Sequence, residues 1–477
     1  MNEADTRLGR DRLTILGIAA VAFFMEQLDA TALNTAIPTI AETFGVAPIR
    51  LNIAVTSYIL ALAAGIPVSG WMADRFGARR VFACAIACFA LASLACGLSE
   101  SLPMLVVARC AQGLAGSMMS PIGRLLVLRI LPKRMLATGF AYLAIPALIG
   151  PALGPVLGGL LSEYISWRWI FYINLPIALA GIVALFRFVP DMPAVRPGKF
   201  DVTGFAFCGA GFVAAQFTFE NIGRGDFPAW SLVLSAAVTL AAFILYRRHA
   251  RRHDAPLLDP SIFRRRSFRV SQTAGALARG GMQAMPFLLP LFFQIGLGMS
   301  PLRAGIYTAV TALGAMGIRA FMAALLRWLG FDRLMIWASI YAAIVVALFT
   351  QVDASTSLWL LIPLLAAFGI ARAIHFSANA MLGYSGIPQR LMSNANTFVS
   401  VIQQLSQGFG ISFVATVLSL AAGANAQPDR GDFAIGFLAI ACFPLIAITG
   451  YRTLWPHDGA EASQHPRALE YRTHPER

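Results

Sequence analysis

The sequence predicts an all-α polytopic membrane protein of about fourteen spanning helices. Residues of the hydrophobic type make up 58% of the chain and charged ones only 13%, with a mean hydropathy of +0.68. The apolar residues fall in long blocks separated by short polar punctuation, and the cationic residues gather in alternate punctuations. In hydrocarbon every backbone N–H and C=O must find its partner inside its own segment, so apolar blocks of roughly 20 residues have to be helices.

In chain order the blocks place spans near 13–36, 51–72, 80–99, 103–126, 136–161, 168–189, 201–221 and 229–247. Six more follow near 271–296, 303–326, 333–351, 357–384, 394–422 and 433–454. The first block follows a charged stretch and runs past the length of a cleavable leader without a small-residue cleavage site, so it is expected to remain as span 1. With a cytoplasmic N-terminus, 28 of the 37 Lys and Arg fall on inside segments and five on outside loops, and four lie within spans. That asymmetry orients the chain with both termini in the cytoplasm. The net charge of +14 is thereby a topological signal, and no nucleic-acid partner is expected. Arg247, Arg248, Arg251, Arg252, Arg264, Arg265 and Arg266 between spans 8 and 9 face anionic lipid in this reading. The six cysteines all lie in apolar blocks and read as small core residues; neither a disulfide framework nor a metal site is expected.

A faint repeat organises the spans. Arg75-Phe76-Gly77-Ala78-Arg79-Arg80 follows span 2, and Trp328-Leu329-Gly330-Phe331-Asp332-Arg333 follows span 10, each with Gly three residues before Arg. Two six-helix halves with two inserted helices satisfy that spacing. The expected division is a cytoplasmic N-terminus over 1–12, a first bundle over 13–189 and the insert with its basic loop over 190–270. A second bundle covers 271–455 and a cytoplasmic tail 456–477.

Several motifs carry chemistry. In span 1, Glu26 and Asp29 stand three residues apart on one helix face, deep in an apolar block. Apolar surroundings disfavour the ionised form of a carboxyl, which is what a residue that loads and releases a proton requires. A static bridge to a basic residue is the plainer account of either. Arg109, Arg279, Arg319 and Arg372 also lie at depth; Arg stays charged, so each needs a carboxylate, a carbonyl, water or an anionic substrate. His375 lies one turn from Arg372. Span 5 contains Gly150-Pro151-Ala152-Leu153-Gly154-Pro155-Val156-Leu157-Gly158-Gly159, whose glycines at 150, 154 and 158 form a bare stripe for close helix approach. Gly70, Asp74, Arg75, Gly77, Arg79 and Arg80 belong to a tight inside turn able to latch one conformational state. Nothing in the chain resembles a nucleophile-base pair or a phosphate loop, so it is not expected to be an enzyme.

At these residues the chain resembles the major facilitator superfamily, and more narrowly its fourteen-helix drug:proton antiporter-2 family. The Asp74 loop resembles the superfamily's inside-loop signature, Arg109-Cys110-Ala111-Gln112-Gly113 its span-4 motif, and the span-5 run its antiporter motif. Leu28-Asp29-Ala30-Thr31-Ala32-Leu33-Asn34-Thr35-Ala36-Ile37-Pro38 and Trp167-Arg168-Trp169-Ile170-Phe171-Tyr172-Ile173-Asn174-Leu175-Pro176 are similar to the family's own signatures. The resemblance implies multidrug efflux across the inner membrane by rocker-switch alternating access. No cofactor is implied beyond the proton motive force. Asp29 with Glu26 and Arg109 would take part in proton coupling. Asn34, Gln112, Arg279, Met282, Arg319, Arg372 and His375 are the candidates for the substrate cavity, and the span-5 helix would seal against leak. The implied partners are a small-molecule substrate and the bilayer, with a periplasmic adaptor and outer-membrane channel left open. A lipophilic cation is the leading substrate; an anionic metabolite or metal chelate is the alternative suggested by the arginines. A sensor that transports nothing is the remaining class, disfavoured because the tail and the 8–9 loop are too short for a signalling domain.

Overall fold

The computed structural model describes residues 10–130, 136–190, 200–221, 227–253, 256–319, 321–385, 387–388, 391–423, 428–455, 457–459 and 465. Side chains at 10–13, 127–130, 136–148, 151, 220, 319, 323 and 392–394 lie outside that description. Among the described residues, fourteen long helices carry the chain. The first six are α1 (Arg10–Phe44), α2 (Asn52–Phe76), α3 (Ala78–Gly97), α4 (Leu102–Ile130), α5 (Leu136–Tyr164) and α6 (Asn174–Phe188). The next two are α7 (Val202–Asn221) and α8 (Ala229–Ala250). The last six are α9 (Arg266–Leu291), α10 (Pro301–Arg319), α11 (Met322–Leu348), α12 (Leu358–Tyr384), α13 (Met392–Ala422) and α14 (Arg430–Tyr451). Among the described residues, eleven helical stretches are long and apolar enough to cross a membrane. Their outer faces suit hydrocarbon: Leu91, Val107, Val233, Phe243, Trp337 and Leu360 are large, apolar and exposed, an arrangement water would penalise.

Two compact units are present, residues 1–200 with 300–306, and 201–299 with 307–477. The first contains α1 to α6. Its most intimate packing joins α1 to α5, and the glycine stripe is the reason. A side chain at Gly150 would meet Gln27, one at Gly154 would meet Thr31, and one at Gly158 would run into the carbonyl of Ala32. Without Cβ atoms the two backbones close onto each other. The hydroxyl of Thr31 donates to Gln27 O at 2.8 Å and reaches Gly150 O at 3.5 Å, so it serves both helices. Gly159, on the next face of α5, packs against the backbone of Pro301 and Leu302, and Glu163 accepts the Leu302 N–H at 2.8 Å.

The second unit contains α9, α10 from Tyr307 onward and α11 to α14, together with α7 and α8, which the sequence treats as a separate insert. Gln216 of α7 donates to Ser412 of α13 at 2.8 Å, and Phe219 sits edge-on to Phe409 at 4.6 Å between centroids. Cys208, Tyr246, Leu258, Ile262, Phe268 and Phe398 form one buried cluster across α7, α8, the following loop, α9 and α13. The inserted pair is thereby fastened to this unit by both polar and apolar contacts.

The repeat read from the sequence has a backbone counterpart. Gly77 ends α2 at φ 89°, and Gly330 breaks α11 at φ 72°. Both lie in the left-handed region that favours glycine, and both precede an Arg by three residues. Past α14 the chain returns over the Gly330 turn. Arg266 grips Asp458 through two nitrogens at 2.9 and 3.3 Å and lies 3.7 Å from the centroid of Trp455. The His465 Nδ1 stands 2.7 Å from the carbonyl of Arg327, and Gly459 packs on Phe331.

Candidate functional site

A polar cluster lies at the middle of the first unit, where α1, α2, α3, α4 and α6 each contribute one or two side chains. Asp29 is completely buried and forms an ion pair with Arg109, itself 1% exposed. Gln112 donates to the other carboxylate oxygen of Asp29 at 2.9 Å, and Asn174 donates to that same oxygen at 3.2 Å. Ser93 on α3 accepts from both amides, at 2.7 Å from Gln112 and 3.2 Å from Asn174. The guanidinium also donates to Gln112 Oε1 at 2.7 Å and, through Nε, to Ala54 O at 3.4 Å. Its flat face stacks on Tyr58, with 4.2 Å from carbon to ring centroid, and Phe171 is 5.9 Å away. A buried ion pair repays its desolvation only when the remaining donors and acceptors are satisfied, and this one has an almost complete shell.

Glu26 occupies a different setting. It is 7% exposed and its carboxylate accepts the Ser120 hydroxyl of α4 at 2.6 Å. Among the described residues it has no ion pair, although Arg124, held 5.8 Å from the Phe23 ring, lies close enough to act on it through space. The two carboxylates of one helix face are therefore unlike: Asp29 is paired with a guanidinium, whereas Glu26 accepts one hydroxyl and meets Arg124 only through space. Asn34, about one and a half turns beyond Asp29, is buried, and its side-chain oxygen has no partner among the described residues.

The Trp167 to Pro176 signature positions this cluster. Trp167 donates to Thr43 at 3.2 Å and packs edge-on against Phe44, pinning the end of α1. Arg168 donates to the carbonyl of Ser99 at 3.0 Å, pinning the end of α3. With those two ends fixed, Phe171 is buried beneath Arg109, and Asn174, the first residue of α6, reaches Asp29. Sequence reasoning quoted this stretch without assigning Asn174 a partner. It also passed over Ser93, Tyr58 and Ser120. A lone hydroxyl or amide in an otherwise apolar span was the available signal.

At the inside-loop turn, Gly77 caps α2 with its N–H on Ala73 O at 3.0 Å. Asp74 is half-buried, Gly70, Arg75 and Arg80 are exposed, and Arg79 reaches α6, donating to Phe186 O at 2.7 Å and stacking on that ring at 5.0 Å. In span 5, Pro155 is buried beside the glycines, and the ring of Pro151 lies outside the described residues.

The second unit has its own buried polar patch. Arg279 is 4% exposed and donates to Gln272 at 3.3 Å; its Nε has no partner among the described residues. Tyr451, whose hydroxyl is likewise unpartnered, lies near it. His375 approaches Ser339 at 3.4 Å and lies 6.3 Å from the Tyr451 ring. Arg372 is half-buried 5.9 Å from Phe376, and Arg319 falls outside the described side chains. Met282 and its neighbours Met285, Phe287, Phe292 and Phe293 are all fully buried in the packing of α9. Of the six cysteines, Cys84, Cys88 and Cys442 point to exposed faces, not to the core.

A multi-spanning helical fold with a buried carboxylate–guanidinium network on its first helices defines a polytopic membrane protein, and the family it belongs to makes it a transporter. The chain belongs to the Major Facilitator Superfamily, whose family model matches residues 19–411. It is 35% identical over 416 residues to a Pectobacterium atrosepticum protein provisionally named multidrug resistance protein MdtD, covering 87% of this chain and 89% of that one. The Salmonella typhi protein of the same provisional name is 36% identical over 405 residues, covering 85% and 86%. Among solved structures, the POT family transporter PepTSo shares the fold with a TM-score of 0.69 at 13% identity, covering 96% of this chain and 99% of that one. The nucleoside transporter NupG shares it with 0.67 at 13% identity, covering 93% and 99%. The protein is a multi-pass protein of the inner membrane.

Proposed function

We propose that the chain exports small lipophilic molecules, cations among them, in exchange for protons, by alternating access. The observation that carries this reading is the contrast on α1. Proton coupling needs a carboxyl that can exist both charged and neutral at depth, together with a conformational element that senses the change. Glu26, hydrogen-bonded to one hydroxyl and without an ion pair among the described residues, is the site that loads the proton. Asp29, held by Arg109, Gln112 and Asn174, is the fixed charge that keeps the five helices in register. The names of the relatives support a drug-like substrate, and the apolar, aromatic-rich interior suits one of low polarity.

Everted vesicles with an imposed proton gradient and an ethidium-like dye test this. Wild type should accumulate dye only with the gradient, Glu26→Gln should lose gradient-driven accumulation, and dye uptake indifferent to the gradient would overturn the reading. A second reading rests on Arg279, a buried cation without a carboxylate partner among the described residues. It would serve an anionic substrate. Arg279→Gln would then abolish transport of a citrate-like anion while sparing the dye, and anion transport that survives the substitution excludes it.

A further inference from the structure

We infer that the start of α7 and the end of α8 hold a divalent transition-metal ion of the zinc, nickel or cobalt class, through Asp201, His249 and His253. This goes beyond the transport reading and does not depend on it. The expectation of no metal site overlooked the spacing His249-Ala250-Arg251-Arg252-His253. His249 stands in the last turn of α8 and His253 three residues past its end, where its N–H still bonds to His249 O at 3.0 Å; that turn stacks the two side chains, and their rings are 5.1 Å apart between centroids. Asp201 meets that face from the start of α7: its Oδ1 stands 2.7 Å from His249 Nε2. One ligand atom from each of the three residues falls within 4.8 Å of the others. A tetrahedral ion with bonds of about 2.0–2.2 Å needs its ligands about 3.4 Å apart; Asp201 and His249 stand closer than that and the whole set within 4.8 Å, so the ion would replace the Asp201–His249 hydrogen bond as the side chains reorient.

The surroundings have the features of a prepared site. Asp201 is 5% exposed and its carboxylate is oriented by two main-chain donors, Gly204 N at 2.8 Å on Oδ1 and Leu257 N at 3.1 Å on Oδ2. Such outer contacts fix the direction in which a ligand points. Phe207 flanks the His249 ring edge-on at 6.2 Å, shielding one side, while His253 is partly exposed and offers the entry path. Two imidazoles are the borderline donors that zinc-class ions select, the carboxylate is a hard oxygen ligand that such ions also accept, and a water completes four-coordination. Arg247, Arg248, Arg251 and Arg252 are exposed around the site and repel a dication. The site is consequently one that fills when metal is abundant and empties when it is scarce. Occupied, it would tie α7 to α8 and, through Leu257, to the loop entering α9.

The test uses the full-length protein carrying a streptavidin-binding tag in place of polyhistidine. Co²⁺ is titrated with detection of the visible band of tetrahedral cobalt, Zn²⁺ by calorimetry, and the unfolding temperature is read with and without Zn²⁺. One equivalent per chain is expected, with a raised unfolding temperature. His253→Ala should weaken binding by about 10-fold or more, the range that loss of even an outer contact reaches, and should abolish the thermal shift; His457→Ala should change neither. Wild type without the band and without the shift overturns the inference, as does binding that persists undiminished in His253→Ala. Asp201→Asn should also lose the metal. Because that carboxylate caps the start of α7 and the variant can fail to fold, the partly exposed His253 provides the deciding substitution.

Discussion

Arg109→Gln would remove the counter-charge of Asp29 while leaving the Gln112 and Asn174 donors in place. The substitution gives up the ion pair, the 2.7 Å bond to Gln112, the contact with Ala54 O and the stacking on Tyr58. What remains is a completely buried carboxylate facing two amides. Removing one partner of a buried pair costs about 3–5 kcal/mol, most of it the penalty of the stranded charge. Asp29→Asn should cost a similar amount by stranding the guanidinium. If the stranded charge is the main term, Asp29→Asn combined with Arg109→Gln should lose less than either single variant, because both charges are gone and the amides can still bond one another. The two single effects would then fail to add by about 3 kcal/mol or more, the upper end of what neighbouring side chains show. Equilibrium unfolding in mixed micelles of rising SDS fraction measures all four proteins. A double variant as unstable as the sum of the singles would refute the reasoning, since it would mean that the pair contributes through independent packing. Dye transport should stay absent in the stable double variant, which separates the network's mechanical role from simple folding.

Asn174→Leu deletes two donors at once, to Asp29 and to Ser93; a loss of about 1.5–3 kcal/mol is expected for the bond to the charged group, seen in the same SDS unfolding, with reduced dye transport. Gly158→Ala forces a methyl into the Ala32 carbonyl and should cost about 1–3 kcal/mol through overpacking, whereas alanine at Gly70, where nothing lies within 4 Å, should be silent in the same assay. Arg266→Ala releases Asp458 and the Trp455 ring; because the pair is partly exposed, global stability should fall by no more than about 1 kcal/mol, while limited proteolysis after Trp455 should accelerate markedly.

Much of this molecule was legible because the bilayer leaves the chain few choices. Helix number followed from block length, and the two turn glycines announced themselves by their spacing from Arg; both proved to have positive φ. The stripe at 150, 154 and 158 signalled close approach, but not that its partner would be α1, the helix bearing Glu26 and Asp29. That pairing joins residues more than a hundred positions apart, and no local pattern encodes it. The same limit hid Asn174 and Ser93, whose importance lies only in where four other helices place them. It also made Glu26 and Asp29 look equivalent, since periodicity puts them on one face and only the neighbouring α4 gives one a guanidinium and the other a hydroxyl. At Asp201 the histidine spacing was present in the chain, and the basic residues around it drew the reading toward lipid instead.

The grip of Arg266 on Asp458 closes across 192 positions of sequence. A ribosome making this protein delivers α9 to the membrane long before it delivers the partner of that arginine. Until the stretch carrying Trp455 and Asp458 leaves the exit tunnel, the second unit waits with both missing from the entrance to α9, so this contact closes only after α14 has been made. A nonsense codon shortly after Tyr451 would therefore leave α1 to α14 intact and still produce a unit that lacks this clasp, a natural mark for membrane quality control.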